Sequence, residues 1–285
     1  MSSNDFYIGW MPKAPGIFST FIKRYLAVLT TVVVALGVTL ALLQKKFGTG
    51  TFEFGKLTQI RGVYLKTPVP VIKVINGRNI WGQVSYLTIP LVGYGKHGAD
   101  GIISDIEKEK GVVLDKKEIT LEGTLLYNDG KTILQIDKND RPVVSIGEAA
   151  SKEVLPQLED IGFRKVKGEI VDPKCYFGVM KPGEGKPHRD CAIRCILGGI
   201  PPVFHVQNEN GANNYYLIVG PHGEKMNEAV QDYVAEPTEI SARLVKYDDW
   251  IVMFVERKES IHRISYLSLI RDDVQVLSCS KSCLK

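Results

Sequence analysis

A chain of 285 residues with 44% apolar and 24% charged side chains has the composition of a globular protein and excludes a disordered polyelectrolyte. Its formal charge of +4, from 36 basic and 32 acidic residues, is mild, and its basic pairs (Lys23-Arg24, Lys45-Lys46, Lys116-Lys117) are scattered. Nucleic acid as a partner is excluded on that ground, because it calls for one concentrated basic patch or stripe. Five cysteines are too few for a disulfide scaffold, and the length suits about two domains.

Residues 1–24 form an N-terminal tail in which Phe6, Tyr7, Trp10 and Phe18 surround Gly9, Pro12, Pro15 and Gly16. The aromatic side chains suit an interfacial belt at a bilayer surface. They equally suit a docking strip, led by Phe6, Tyr7 and Trp10, against another membrane subunit, since the prolines and glycines oppose a self-standing helix. A transmembrane helix is expected over residues 25–44. The run YLAVLTTVVVALGVTLALL has 19 residues without a charge, close to the roughly 20 needed to cross the hydrocarbon core. Its only polar side chains are threonines, whose hydroxyls can bond back to helix carbonyls. A cleaved signal peptide would have a shorter apolar core and a small-residue exit, whereas this run ends in Gln44-Lys45-Lys46-Phe47. The flanking charges, Lys13, Lys23 and Arg24 before and Lys45, Lys46 and Lys56 after, nearly balance. A short tail ahead of a long C-terminal region, together with paired cysteines, favours a single-pass inner-membrane protein with its soluble domains in the periplasm.

Beyond the span the sequence repeats. The segment YLTIPLVGYGKHGADG from Tyr86 matches YYLIVGPHGEKMNEA from Tyr215, with His97-Gly98 and His222-Gly223 at corresponding places. Further on, ITLEGTLLYNDGKTILQI from Ile119 matches TEISARLVKYDDWIVMFV from Thr238, two alternating strands around Asn128-Asp129-Gly130 and Asp248-Asp249. Upstream, Gly62 and Gly168 stand at equivalent points of the blocks starting at Ile60 and Val166. Three blocks agreeing in order indicate duplication. Each copy reads as three strands, a short helix and a closing hairpin, which is the order of an OB-like Greek-key barrel. The first OB-like domain is assigned to residues 45–146, a linker to 147–162, the second domain to 163–270, and a C-terminal tail to 271–285. The fold class is therefore mainly β: two tandem OB-like barrels behind one transmembrane helix.

The second copy carries an insert between its first two strands, CYFGVMKPGEGKPHRDCAIRCILGGIPP from Cys175, containing Cys175, His188, Cys191 and Cys195. With DCAIRC helical, Cys191 and Cys195 share a face with His188. Three thiolates and an imidazole suit zinc, copper or iron, but the spacing matches no standard finger, c-type haem or Rieske pattern. A disulfide from Cys175 to Cys191 or Cys195 is the favoured reading in an oxidising compartment, with no metal and no cofactor. A Cys/His metal site is the alternative, and a thiol nucleophile with His188 as base comes third. Cys279 and Cys283 are further disulfide candidates, able to pair with each other or with the insert. His97, His205, His222 and His262 are left outside the site, and the glycine pairs near 183–185 and 198–199 read as turns rather than a phosphate loop.

The pattern as a whole resembles bacterial membrane-anchored or exported proteins with OB-like domains, many of unassigned function, over most of residues 52–270. The anchor and the aromatic tail make the lipid bilayer and other membrane-complex subunits the expected partners. With no paired carboxylates or triad in recognisable spacing, the reading is a non-catalytic scaffold or accessory subunit of a bacterial membrane complex, in the respiratory class. The rival is an extracytoplasmic metal- or redox-handling domain.

Overall fold

The computed structural model describes residues 15–44, 50–78, 84–151, 154–208 and 211–270. The docking strip Phe6, Tyr7 and Trp10 and the cysteines Cys279 and Cys283 lie outside them. The chain separates into an N-terminal unit, residues 1–47, and a larger unit, residues 48–285.

The first unit is one helix, α1 (Gly16–Leu43), of 28 residues with mean hydropathy 2.6 over its most apolar stretch and no buried side chain. At 1.5 Å per residue it is about 42 Å long, enough to span the roughly 30 Å hydrocarbon core. Three of its threonines bond back as expected: Thr20, Thr31 and Thr39 donate to the carbonyls of Gly16, Ala27 and Ala35 at 2.8, 2.9 and 2.8 Å. Length and composition therefore make α1 competent to cross a membrane.

The second unit holds two five-stranded barrels. A two-residue strand, β1 (Thr51–Phe52), precedes the first, which comprises β2 (Thr58–Leu65), β3 (Val71–Arg78), β4 (Val84–Gly93), α2 (Asp100–Lys110), β5 (Lys117–Asn128) and β6 (Lys131–Ile136). Pairing runs β2-β3-β4-β6-β5 and back to β2, with only β4–β6 parallel. Outer strand β7 (Val143–Ala149) joins β5. The second barrel repeats this wiring with β8 (Leu158–Val171), β9 (Val203–Gln207), β10 (Asn213–Val219), α4 (Asn227–Val230), β11 (Pro237–Tyr247) and β12 (Trp250–Phe254), and again only β10–β12 is parallel. A helix between the third and fourth strands and closure of the first strand on the fourth are the OB arrangement. Within the insert lies α3 (Arg189–Leu197); β13 (Ile261–Arg263) and α5 (Tyr266–Ile270) follow the second barrel.

Register makes the repeat quantitative. Gly62 pairs with Ile119, and Gly168 pairs with Thr238. A Cβ on Gly62 would fall 2.4 Å from Lys73 O, and one on Gly168 would fall 2.2 Å from His205 O. Both glycines are therefore required by the close approach of the neighbouring strand. His97 and His222 both sit in the loop between third strand and helix, as the sequence match implies.

Three apolar clusters result. Ile72, Leu91, Leu121 and Leu134 pack under Ile103 and Ile106 of α2. Ile170, Phe204, Ile218, Ile240 and Met253 pack under Ala192 and Ile196 of α3 and Val230 of α4. The third cluster is shared: Val63, Val71, Val92, Leu126 and Ile133 of one barrel meet Phe177, Val203, Leu217, Trp250 and Val252 of the other. Successive residues of one strand thus face a barrel interior and then the seam, and these strands are buried on both faces.

Candidate functional site

The insert leaves β8 through Asp172, whose Oδ1 accepts from Lys174 N at 2.9 Å and turns the chain. A five-residue π-helical turn, Cys175–Val179, follows and buries Cys175 and Phe177. Its glycine has no room for a side chain, since a Cβ on Gly178 would lie 2.6 Å from Thr51 O. The chain then runs through a short 3-10 turn, Lys186–His188, into α3, which sets Cys191 and Cys195 one turn apart as the sequence suggests.

Three of the four sequence-predicted residues converge, and the fourth, Cys195, lies beside one of them, Cys175. A ring nitrogen of His188 and the Sγ atoms of Cys175 and Cys191 lie within 4.8 Å of one another. Cys195 and a carboxylate oxygen of Asp172 form a second triplet with Cys175 inside the same distance. The disulfide expected of Cys175 is not formed: Cys175, Cys191 and Cys195 are all free thiols. Instead Cys175 is common to both groups of donors, and Cys191 lies near His188 and accepts from Lys96 of barrel one.

Sequence reading misses three members of this neighbourhood. Lys96, from the loop after β4, donates to Cys191 Sγ at 3.1 Å. That hydrogen bond raises the Lys96 ammonium above the ordinary lysine value. Lys174 is buried and donates to Gly93 O at 2.8 Å and Gly95 O at 2.7 Å, clamping the insert to the same loop. Burial lowers its ammonium, which Asp172 partly opposes. Asp172 is fully buried and its Oδ2 has no hydrogen-bond partner among the described residues. In sequence the only sign of it is a carboxylate just ahead of a cysteine. The adjacent Cys195, then burial, then Asp172 push the Cys175 thiol far above its usual range. Burial lowers His188, with Lys96 adding to the effect and Asp172 working against it, which favours the neutral imidazole.

A second polar assembly lies along the seam. In barrel one, Lys73 is 2% exposed and places Nζ 2.8 Å from Asp248 Oδ2 of barrel two's closing turn. Asp249 Oδ1 accepts from Thr88 N at 2.8 Å, its backbone carbonyl accepts from Lys131, and Trp250 Nε1 donates to Thr88 O at 2.9 Å. The reverse contact has the same design. Asp129, in barrel one's closing turn, accepts from Asn213 Nδ2 at 3.0 Å and Tyr215 Oη at 3.1 Å. His205 Nε2 lies 2.9 Å from Asn213 Oδ1 and 3.0 Å from Tyr176 Oη. Lys73 and His205 are equivalent residues, each pairing with the residue after its barrel's close-approach glycine. His205, set aside in the sequence reading, is thus a buried seam residue. No family model matches the chain, and no curated protein matches it.

Proposed function

We propose that this protein is a membrane-tethered, non-catalytic platform: a rigid double barrel held at the bilayer as an accessory subunit of a bacterial membrane complex, in the respiratory class. The observation that carries the reading is the seam. OB barrels bind oligonucleotides and oligosaccharides with the face of strands two and three and with the loops between strands one and two and between strands four and five. Here the turn between strands four and five of each barrel, at Asp129 and at Asp248-Asp249, is spent on the other barrel, where it meets second- and third-strand residues such as Lys73, Thr88 and Tyr215. The surfaces that would grip an extended polymer grip each other instead. A platform needs this kind of internal rigidity, and α1 supports its placement at a lipid surface.

In this reading the double barrel is periplasmic, and Phe6, Tyr7 and Trp10 meet the neighbouring subunit. The resemblance to bacterial anchored OB-like proteins supports the same setting. Blue-native electrophoresis of detergent-solubilised membranes tests it: the full chain should migrate in a larger assembly, lost on replacing Phe6, Tyr7 and Trp10 by alanine. Protease added to spheroplasts should digest the barrels. A chain that migrates alone, or barrels protected from protease, would refute the partner or the topology respectively. Tight binding of single-stranded DNA or a soluble glycan, abolished by His205→Ala, would replace the platform with a ligand-binding reading. The rival metal- or redox-handling reading is favoured by the convergence of Cys175, His188 and Cys191, and stoichiometric copper or iron in the isolated protein would decide for it.

A further inference from the structure

We infer that Cys175, His188 and Cys191, with Cys195 beside them, form a closed structural site for one zinc ion that staples the insert of the second barrel in place. In a tetrahedral zinc site with Zn–S of about 2.3 Å and Zn–N of about 2.0–2.1 Å, neighbouring donor atoms stand roughly 3.5–4 Å apart. The three donors already lie within 4.8 Å of one another, and Cys195 is held to the same bound from Cys175.

Independent observations point the same way. His188 is 3% exposed, and its Nε2 is buried with no hydrogen-bond partner among the described residues. A buried ring nitrogen in that condition is costly unless a hydrogen-bond partner or an ion takes it up. Charge is also provided for. Three thiolates and one zinc leave a net negative centre, and burying such a charge demands cations nearby. Lys96 supplies one at 3.1 Å from Cys191 Sγ, and the buried Lys174 supplies a second, next in the chain to Cys175. Both lysines also bind the site to barrel one: Lys96 belongs to its loop, and Lys174 donates to Gly93 O and Gly95 O. Gly98 N adds a bond to Gly198 O at 2.9 Å, just past α3. An ion here fastens the π-helical turn to α3, and through these contacts fastens the insert against the first barrel.

The ion type follows from the donors. Soft thiolates with one imidazole select zinc, copper(I) or iron over magnesium or calcium. Burial of Cys175, His188 and Cys195, with Cys191 half-buried, suits the closed coordination of a structural zinc site rather than the open position of a catalytic one.

The test uses the full chain in detergent, stripped with a chelator under reducing conditions and titrated with zinc alone. About one ion per chain should bind, the thiols of the insert should lose reactivity, and the thermal midpoint should rise. Cobalt in place of zinc should give thiolate-to-metal charge-transfer absorption, which reports the sulfur ligands directly. His188→Ala should reduce stoichiometry to below about a tenth of an ion per chain, while His188→Cys, which keeps a ligand, should retain it. His222→Ala, in the corresponding loop after the third strand, should leave binding unchanged. Failure of wild-type protein to bind zinc or to show the cobalt band would overturn the site, and that measurement does not depend on any variant folding. A disulfide between Cys175 and Cys191 or Cys195 in protein isolated without reductant, seen as a 2 Da mass deficit (about two hydrogens lost), would also overturn it. Stoichiometric copper or iron in freshly isolated protein would replace the structural zinc with the redox-handling reading. Zinc binding or its failure does not bear on whether the barrels join a larger membrane assembly, so the platform and the zinc site stand or fall separately.

Discussion

At the scale of single residues, the seam is held by charges that cannot be removed one at a time. Lys73 and Asp248 have side chains only 1% and 9% exposed. Deleting one partner of a buried pair leaves the other desolvated and costs about 3–5 kcal/mol. Lys73→Met should destabilise by that amount in urea unfolding, and adding Asp248→Asn should recover part of the loss. A cost under about 1 kcal/mol would mean that water reaches the pair. The tyrosines supply a pH prediction. Burial above all pushes Tyr64, Tyr176, Tyr215 and Tyr247 well above the ordinary phenol value. A folded-state pKa above the unfolded one means that the unfolded chain loses its proton first. Stability is then fully present below about pH 10 and is lost as pH rises beyond it. Phenolate absorbance from these four should therefore appear together with loss of near-ultraviolet dichroism, and ionisation without unfolding would contradict their burial.

At the scale of elements, the closing hairpins carry both legible and hidden information. Asn128-Asp129-Gly130-Lys131 announces a two-residue turn, and the structure has it: Asn128 pairs with Lys131, with φ of +49° at Asp129 and +73° at Gly130. What the local pattern does not announce is that the turn aspartate points at another barrel. Trp250, just beyond the second hairpin turn, shows the same division. It reads as a strand residue, yet it is 1% exposed, donates to Thr88 O across the seam, and has Lys131 Nζ 4.6 Å from its ring centroid. Trp250→Ala should cost about 3–5 kcal/mol, and Trp250→Phe less, with the lost indole donor leaving Thr88 O short of a partner. Equal losses for the two variants in denaturant titrations would show that ring volume contributes little. One signal for the seam was present in the sequence: the run YYLIV from Tyr215 is continuous in apolar and aromatic residues, the pattern of a strand covered on both faces.

At the scale of the whole β-rich unit, the shared third core ties the two barrels into one folding unit. Val63, Leu126 and Ile133 on one side and Val203, Leu217 and Val252 on the other lose their cover if either barrel opens. Each such side chain is worth about 1.5–3 kcal/mol when buried, so partial unfolding exposes a large apolar face. Urea unfolding should therefore show one transition, coincident by far-ultraviolet dichroism, which reports both barrels, and by tryptophan fluorescence, which includes Trp250 at the seam. Two separated transitions would show that the barrels are independent domains that merely touch.

The sequence by itself determined the apolar helix, the duplication, the order of strands around each short helix, and the convergence expected of Cys191 with His188 on one helical turn. These features depend on neighbours within a few residues, such as the charge-free run of α1, the glycines at 62 and 168, and the Asp-containing turns. Tertiary structure decided the rest. The state of the cysteines could not be read from spacing, because a disulfide and a donor cluster ask for the same residues nearby and differ only in Asp172, Lys96 and Lys174 being gathered around them. Lys96 reaches Cys191 across 95 positions of chain, and Lys73 reaches Asp248 across 175. No periodicity in the sequence encodes a contact of that range; it exists because two barrels with apolar outer faces bury them against each other and bring those charges together.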